Sequence, residues 1–123
     1  MRIDRKQFSK WIAALRSGKY KQGYGFLQPT KDKYCCLGVA CLVIIPKDKL
    51  ERNNDLIVGG LPESQRHCPK WLSFINGDFA KQTGVSLTVR NDSHEWTFSQ
   101  IADALEKIYG KSKKYISKKS VKK

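Results

Sequence analysis

The sequence predicts an α+β domain: several helices packed around one buried apolar segment, with a short antiparallel sheet. Three observations carry this expectation. Residues 34–46 read YCCLGVACLVIIP and contain no charge and no side-chain amide. Such a run is too apolar for a surface and too short for a membrane span, which takes about 20 apolar residues. Residues 4–17 and 97–109 show helical apolar periodicity behind complete start signals. Val85, Leu87 and Val89 alternate with Ser86, Thr88 and Arg90, the pattern of a half-buried strand.

In the first helix Phe8, Trp11, Ile12 and Leu15 occupy i, i+3, i+4 and i+7. Asp4 with Gln7 forms a capping-box pattern, Ile3 and Phe8 fall at the hydrophobic-staple positions, and Gly18 is the stop. Residues 18–33 are rich in Gly and Lys and read as loop, with at most a short strand over 24–28. The apolar run is expected as a helix ending before Pro46, with Gly38 admitting a close neighbour. Residues 47–60 form a polar excursion. Pro62 opens a short helix and Pro69 restarts it. Asn76-Gly77 is a turn signal, with one more helical turn from Phe79 to the stop at Gly84. The last helix starts at Thr97, with Gln100 completing a capping box and Trp96 and Ile101 at the staple positions, and ends at Gly110.

The chain of 123 residues is one domain by size, with residues 1–110 as the globular body and 111–123 as a Lys-rich tail. The formal net charge is +13. Seven lysines and no acid fall in the tail, so the body keeps +6 (13 less 7). A basic body favours an anionic partner. The N-terminus is polar and opens a helix, not a secretion signal, which implies a cytoplasmic setting with reduced thiols. Cys35, Cys36, Cys41 and Cys68 lack the paired spacing of a zinc site, so no metal and no cofactor is expected. No serine triad, phosphate loop or paired-carboxylate motif is present. The expectation is a non-enzyme, with a nuclease or phosphodiesterase built on His94 as the catalytic alternative.

Two stretches carry the side-chain types of a ligand site. Tyr20, Gln22 and Tyr24 alternate with Lys19 and Lys21 on a Gly-rich loop, where aromatic rings stack bases and lysines meet phosphate. Arg90, Asn91, Asp92 and Trp96 lie between the expected strand and a capped helix. There Arg suits a phosphate, Asn and Asp a base or ribose edge, and Trp a stacked ring. With Arg16 these form the candidate site for a small anionic nucleotide, placed between the 20–24 loop and the 90–96 junction.

Several of these pieces occur together in a pattern. Trp11, Ala14-Leu15-Arg16-Ser17-Gly18, Tyr20 and Gln22 match W-x-x-A-L-R-S-G-x-Y-x-Q. Cys35-Cys36-Leu37-Gly38-Val39 follows, then Asn91-Asp92, then Thr97-Phe98 with Ile101-Ala102-Asp103. Over residues 11–106 the chain resembles a widespread group of small tailed-bacteriophage proteins, from which it departs in its Lys-rich tail and basic bias. The resemblance implies phage origin and action in the host cytoplasm. By analogy with other small phage proteins it suggests an inhibitor that sequesters a nucleotide signal of bacterial immunity. The alternative is a binder of nucleic acid, through the tail, or of a host protein. No membrane partner is expected, and a homo-oligomer is left open.

Overall fold

The computed structural model describes residues 2–93 and 96–110. The fold is α+β, with helices predominating. Its α-helices are α1 (Arg5–Arg16), α2 (Cys36–Ile44), α3 (Lys70–Thr83), α4 (Leu87–Asp92) and α5 (Phe98–Leu105). Two small sheets decorate them. β1 (Lys21–Gln22) pairs in parallel with β2 (Lys33–Tyr34), and β3 (Arg52–Asn53) pairs antiparallel with β4 (Leu56–Ile57). A 3₁₀ turn covers Pro62–Ser64 and a π-helical turn covers Glu106–Gly110.

The apolar run is the helix at the centre. Every residue of α2 from Cys36 to Cys41 is buried, and α1 packs along it. Fully burying a Leu or Val side chain contributes about 1.5–3 kcal/mol, so α2 supplies a large share of the core. Trp11 crosses from α1 and its indole N–H donates to the Cys36 carbonyl at 2.9 Å. Phe8, Trp11 and Trp71 form an aromatic trio with centroids 6.2 Å apart. Gly38 is needed because a Cβ there would lie 1.8 Å from the Leu27 carbonyl oxygen. The loop before α2 thus lies directly on the helix, and the Leu27 carbonyl accepts from Cys35 N at 3.1 Å.

One strong helix start takes its expected form in full and the other in half. Thr97 with Gln100 closes a reciprocal capping box, whereas Asp4 accepts from Gln7 N but the Gln7 side chain turns away to accept from the Trp71 indole N–H at 2.8 Å. Gly84 ends α3 at φ +88, a conformation that suits glycine. After α5 the chain winds into the π-helical turn, where the buried Tyr109 donates its hydroxyl to Asp78 Oδ2 at 2.8 Å.

Three local expectations are corrected, and a fourth gains detail. Residues 85–89 are not a strand: Ser86 caps Val89 N and starts α4, placing Leu87 and Asn91 on one buried face while Val89 stays 52% exposed. The N-cap serine and the i, i+4 burial outweigh the β-branched alternation, because β propensity yields to context. Asn76-Gly77 is not a turn but the middle of α3, where Leu72, Ile75, Asn76 and Phe79 face the core. The glycine costs about 1 kcal/mol relative to Ala, less than the burial of its neighbours returns. Residues 24–28 form no strand; the pairing falls one step earlier, at Lys21 and Gln22. The 47–60 excursion contains the β3–β4 hairpin, turned by Asn54 and Asp55 at positive φ.

Among the described residues no helix is long and apolar enough to cross a membrane. The tail, His94 and Glu95 lie outside the described residues.

Candidate functional site

The two stretches singled out in the sequence meet in space. Asn91 is fully buried and joins them. Its Oδ1 accepts from Gln22 Nε2 at 2.9 Å and from Cys36 N at 3.2 Å. Its Nδ2 donates to the Gly23 carbonyl at 2.9 Å and to Asp92 Oδ1 at 3.0 Å. A side-chain amide has two lone pairs and two N–H bonds, so Asn91 spends its whole capacity inside the fold. Cys36 N belongs to the first turn of α2, whose N–H groups have no helical partner. Asn91 therefore caps one helix from another while pinning a loop.

Gln22 and Asp92 complete this clasp. Gln22 Nε2 also donates to the Trp96 carbonyl at 2.9 Å, and Asp92 Oδ1 accepts from Gly25 N at 3.0 Å. Gly23 N donates to the Tyr34 carbonyl at 2.7 Å. Tyr24 thus sits between two anchored neighbours and remains 37% exposed. Arg90 lies over the Trp96 ring, its guanidinium carbon 4.6 Å from the centroid. Trp96 meets Phe79 edge to face at 6.3 Å. The first step of the expected nucleotide site is therefore occupied by the protein's own groups. Asn91, Gln22 and Asp92 hold the loop, and Trp96 offers one ring face to Arg90.

Arg16 and Tyr20 belong elsewhere. Arg16 bridges Asp103 at 2.6 Å and Glu106 at 3.0 Å. Two carboxylates, Asp103 before Glu106 in effect, raise its pKa and meet its charge. Tyr20 lies edge to face on Tyr34, centroids 5.8 Å apart, and closes one side of a shallow cleft of about 290 Å³. The floor is Ala13 and Ala14 of α1 with Val43 of α2, and the rim is Lys10, Ser17 and Lys19. Among the described residues its charged lining side chains are both lysines. The clefts that include Arg16 hold Glu106 as well, and one of them Asp103.

None of Lys10, Ala13, Ala14 and Val43 stands among the site residues expected from the sequence, although Ala14 belongs to the pattern that begins at Trp11. A signal was present: Lys10, Ala13, Ala14 and Ser17 follow i, i+3, i+4 and i+7 on the outer side of α1, where two adjacent alanines leave room beside the neighbouring helix. Val43 carried none, since it sits in a run that reads as uniformly buried.

The four cysteines are free thiols. Cys35 Sγ accepts from Gly38 N as the N-cap of α2, and burial pushes its pKa up to about 11. Burial also raises Cys36, Cys41 and Cys68. These thiols are protonated near neutrality and poor nucleophiles. Among the described residues no three His, Cys, Asp or Glu side chains gather in a metal-holding arrangement.

No curated protein and no solved structure matches the chain. A family model matches residues 3–70, slightly more than half of the sequence. The matched segment runs from α1 to the start of α3 and contains every described residue that lines the Tyr20 cleft, but only the Gln22 and Cys36 side of the clasp. The chain belongs to the family described as a domain of unknown function, DUF8296.

Proposed function

We propose that this is a non-enzymatic binding protein that captures a small anionic nucleotide, with sequestration of a bacterial immune signal as its role for a phage. The observation that supports the reading is the fixed basic loop. Lys21 and Lys33 are directly paired across β1 and β2, both exposed, with Tyr20 and Tyr24 on the same loop. Like charges placed side by side disfavour the bare fold, and an anion relieves that repulsion. Asp32, 3.7 Å from Lys21, offsets it only in part because both groups are largely exposed. The clasp holds this loop before any ligand arrives, so little ordering cost falls on binding.

The test is a thermal-shift panel of cyclic dinucleotides, ADP-ribose derivatives and ordinary nucleotides at high salt, where diffuse lysine attraction is screened. A true ligand at roughly 100 times its dissociation constant stabilises by about 2.7 kcal/mol, a melting shift on the order of 10 °C. A flat panel refutes the reading.

The net charge of +13 supports a second reading, sequence-blind binding of nucleic acid. It predicts affinity that falls steeply with salt, by a log–log slope of about −0.7 per phosphate neutralised on a single strand. Deleting residues 111–123 should then remove most of the binding, and unchanged affinity would refute it.

A further inference from the structure

The cleft beside Tyr20 has a composition that its neighbours lack. We infer that the cleft formed by Lys10, Ala13, Ala14, Lys19, Tyr20 and Val43 binds a single nucleoside phosphate, its base on the apolar floor and its phosphate between the two lysines. The inference rests on the nucleotide-binding reading above and places the ligand in the cleft at the start of the same loop, where the Lys21–Lys33 pair adds to the positive field but does not line the site.

The floor is apolar where solvent would favour polar groups. Ala13 is exposed, and Ala14, Val43 and Tyr20 are half-buried in the groove between the C-terminal halves of α1 and α2. A longer side chain at either alanine would fill the groove. The Tyr20 ring is set on Tyr34 before a ligand arrives, and a fixed aromatic wall suits a planar base. Its volume of about 290 Å³ is at the small end of ligand sites. It therefore suits one nucleotide, not a dinucleotide.

Charge selects the ligand's sign. Lys10 and Lys19 stand on the rim, and among the described residues no acidic side chain lines the cleft. The nearby C-termini of α1 and α2 point partial negative charge at this end, which opposes an anion. Two features limit that opposition. Ser17 donates its backbone N–H and its hydroxyl to the Ala14 carbonyl. Lys10 lies nearly two turns back from the end of α1, where the end effect has faded. Among the described residues the cleft holds no nucleophile or general base placed for turnover: its polar side chains are those of two lysines, Ser17, whose hydroxyl is already bonded to Ala14, and Tyr20.

The experiment is calorimetric titration of the full chain with ADP, and in parallel with pyrophosphate and adenosine, at high salt. The variants are Lys10→Ala, Lys19→Ala and Ala13→Glu, with Lys81→Ala on α3 as the control for net charge. Lys10, Lys19, Ala13 and Lys81 are all exposed, so none of these changes threatens the fold. The site predicts that ADP binds more tightly than pyrophosphate or adenosine. Lys10→Ala and Lys19→Ala should each weaken it roughly tenfold, as for loss of one charged hydrogen bond. Ala13→Glu should weaken it at least as much, and Lys81→Ala should leave it unchanged. ADP binding that ignores Lys10, Lys19 and Ala13 overturns the cleft and leaves the nucleotide reading standing. Pyrophosphate binding as well as ADP overturns the base-on-floor geometry. No binding of ADP overturns the cleft, while the wider nucleotide panel decides the reading itself.

Discussion

The clasp around Asn91 and the cleft beside Tyr20 lie at opposite ends of one loop, residues 20–25, and use their polar groups in opposite ways. In the clasp every hydrogen-bonding position of a buried amide is taken by the chain. In the cleft the lysines stand at the rim over an apolar floor. The first arrangement fixes structure, because a satisfied buried amide stabilises only while all its partners stay in place. The second leaves groups that a ligand can engage. A dense cluster of Arg, Asn, Asp and Trp in a sequence therefore does not distinguish a ligand site from an internal joint. What distinguishes them is where the hydrogen bonds end.

The largest effect that could break this contrast is Asn91→Ala. It strips partners from the buried Cys36 N and the Gly23 carbonyl, each of which costs about 1–3 kcal/mol when left unsatisfied. The expected loss is about 3 kcal/mol, a melting decrease on the order of 10 °C by thermal denaturation. A stable Asn91→Ala protein would mean that the clasp is not structural.

Next is the alkaline limb of stability. Cys35 caps α2 beside the clasp, and burial holds its folded pKa at about 11, above the ordinary thiol range. The folded state keeps the proton longer, so this contribution is complete below about pH 8 and is lost as pH rises towards 11. The unfolding free energy from denaturant titration should fall over that window, with Cys36, Cys41 and Cys68 adding to the fall because burial raises them too, and Cys35→Ser should remove only the Cys35 share, up to about 2 kcal/mol. A fall unchanged in Cys35→Ser would show that this thiol is more open than the structure has it.

Smaller again is Gln22→Ala, which removes two hydrogen bonds from a half-buried amide. About 1 kcal/mol is expected from chemical denaturation. The smallest effect belongs to the cleft: Lys10→Ala and Lys19→Ala should change stability by less than about 0.5 kcal/mol. A larger loss at either lysine would make the cleft structural too and erase the contrast.

Much of the fold was legible, because its signals are local. Asp4, Thr97 and Gln100 state where helices begin, Gly18 and Gly84 where they end, and the 34–46 run could only be core. Gly38 also spoke for itself, as the one residue of that run without a side chain. Short elements were less legible. α4 has six residues, and its Ser86 cap competed with an alternation that implies a strand. Gly77 looked like a break because the burial of Ile75, Asn76 and Phe79 around it is a tertiary fact. For the site, residue types were visible but their partners were not. Nothing in Gln22 or Asn91 as letters says that they bond each other across 69 positions. Arg16 likewise shows no sign of Asp103 and Glu106 until α5 is laid beside α1.

The most direct test of the contrast is an amide chemical-shift titration of the full chain with ADP, read residue by residue. The account predicts that the largest changes fall on Ala13, Ala14, Ser17, Lys19, Tyr20 and Val43, while Gly23, Gly25, Asn91 and Asp92 stay nearly still. Changes concentrated on Gly25, Asp92 and Trp96, with a silent cleft, would contradict it.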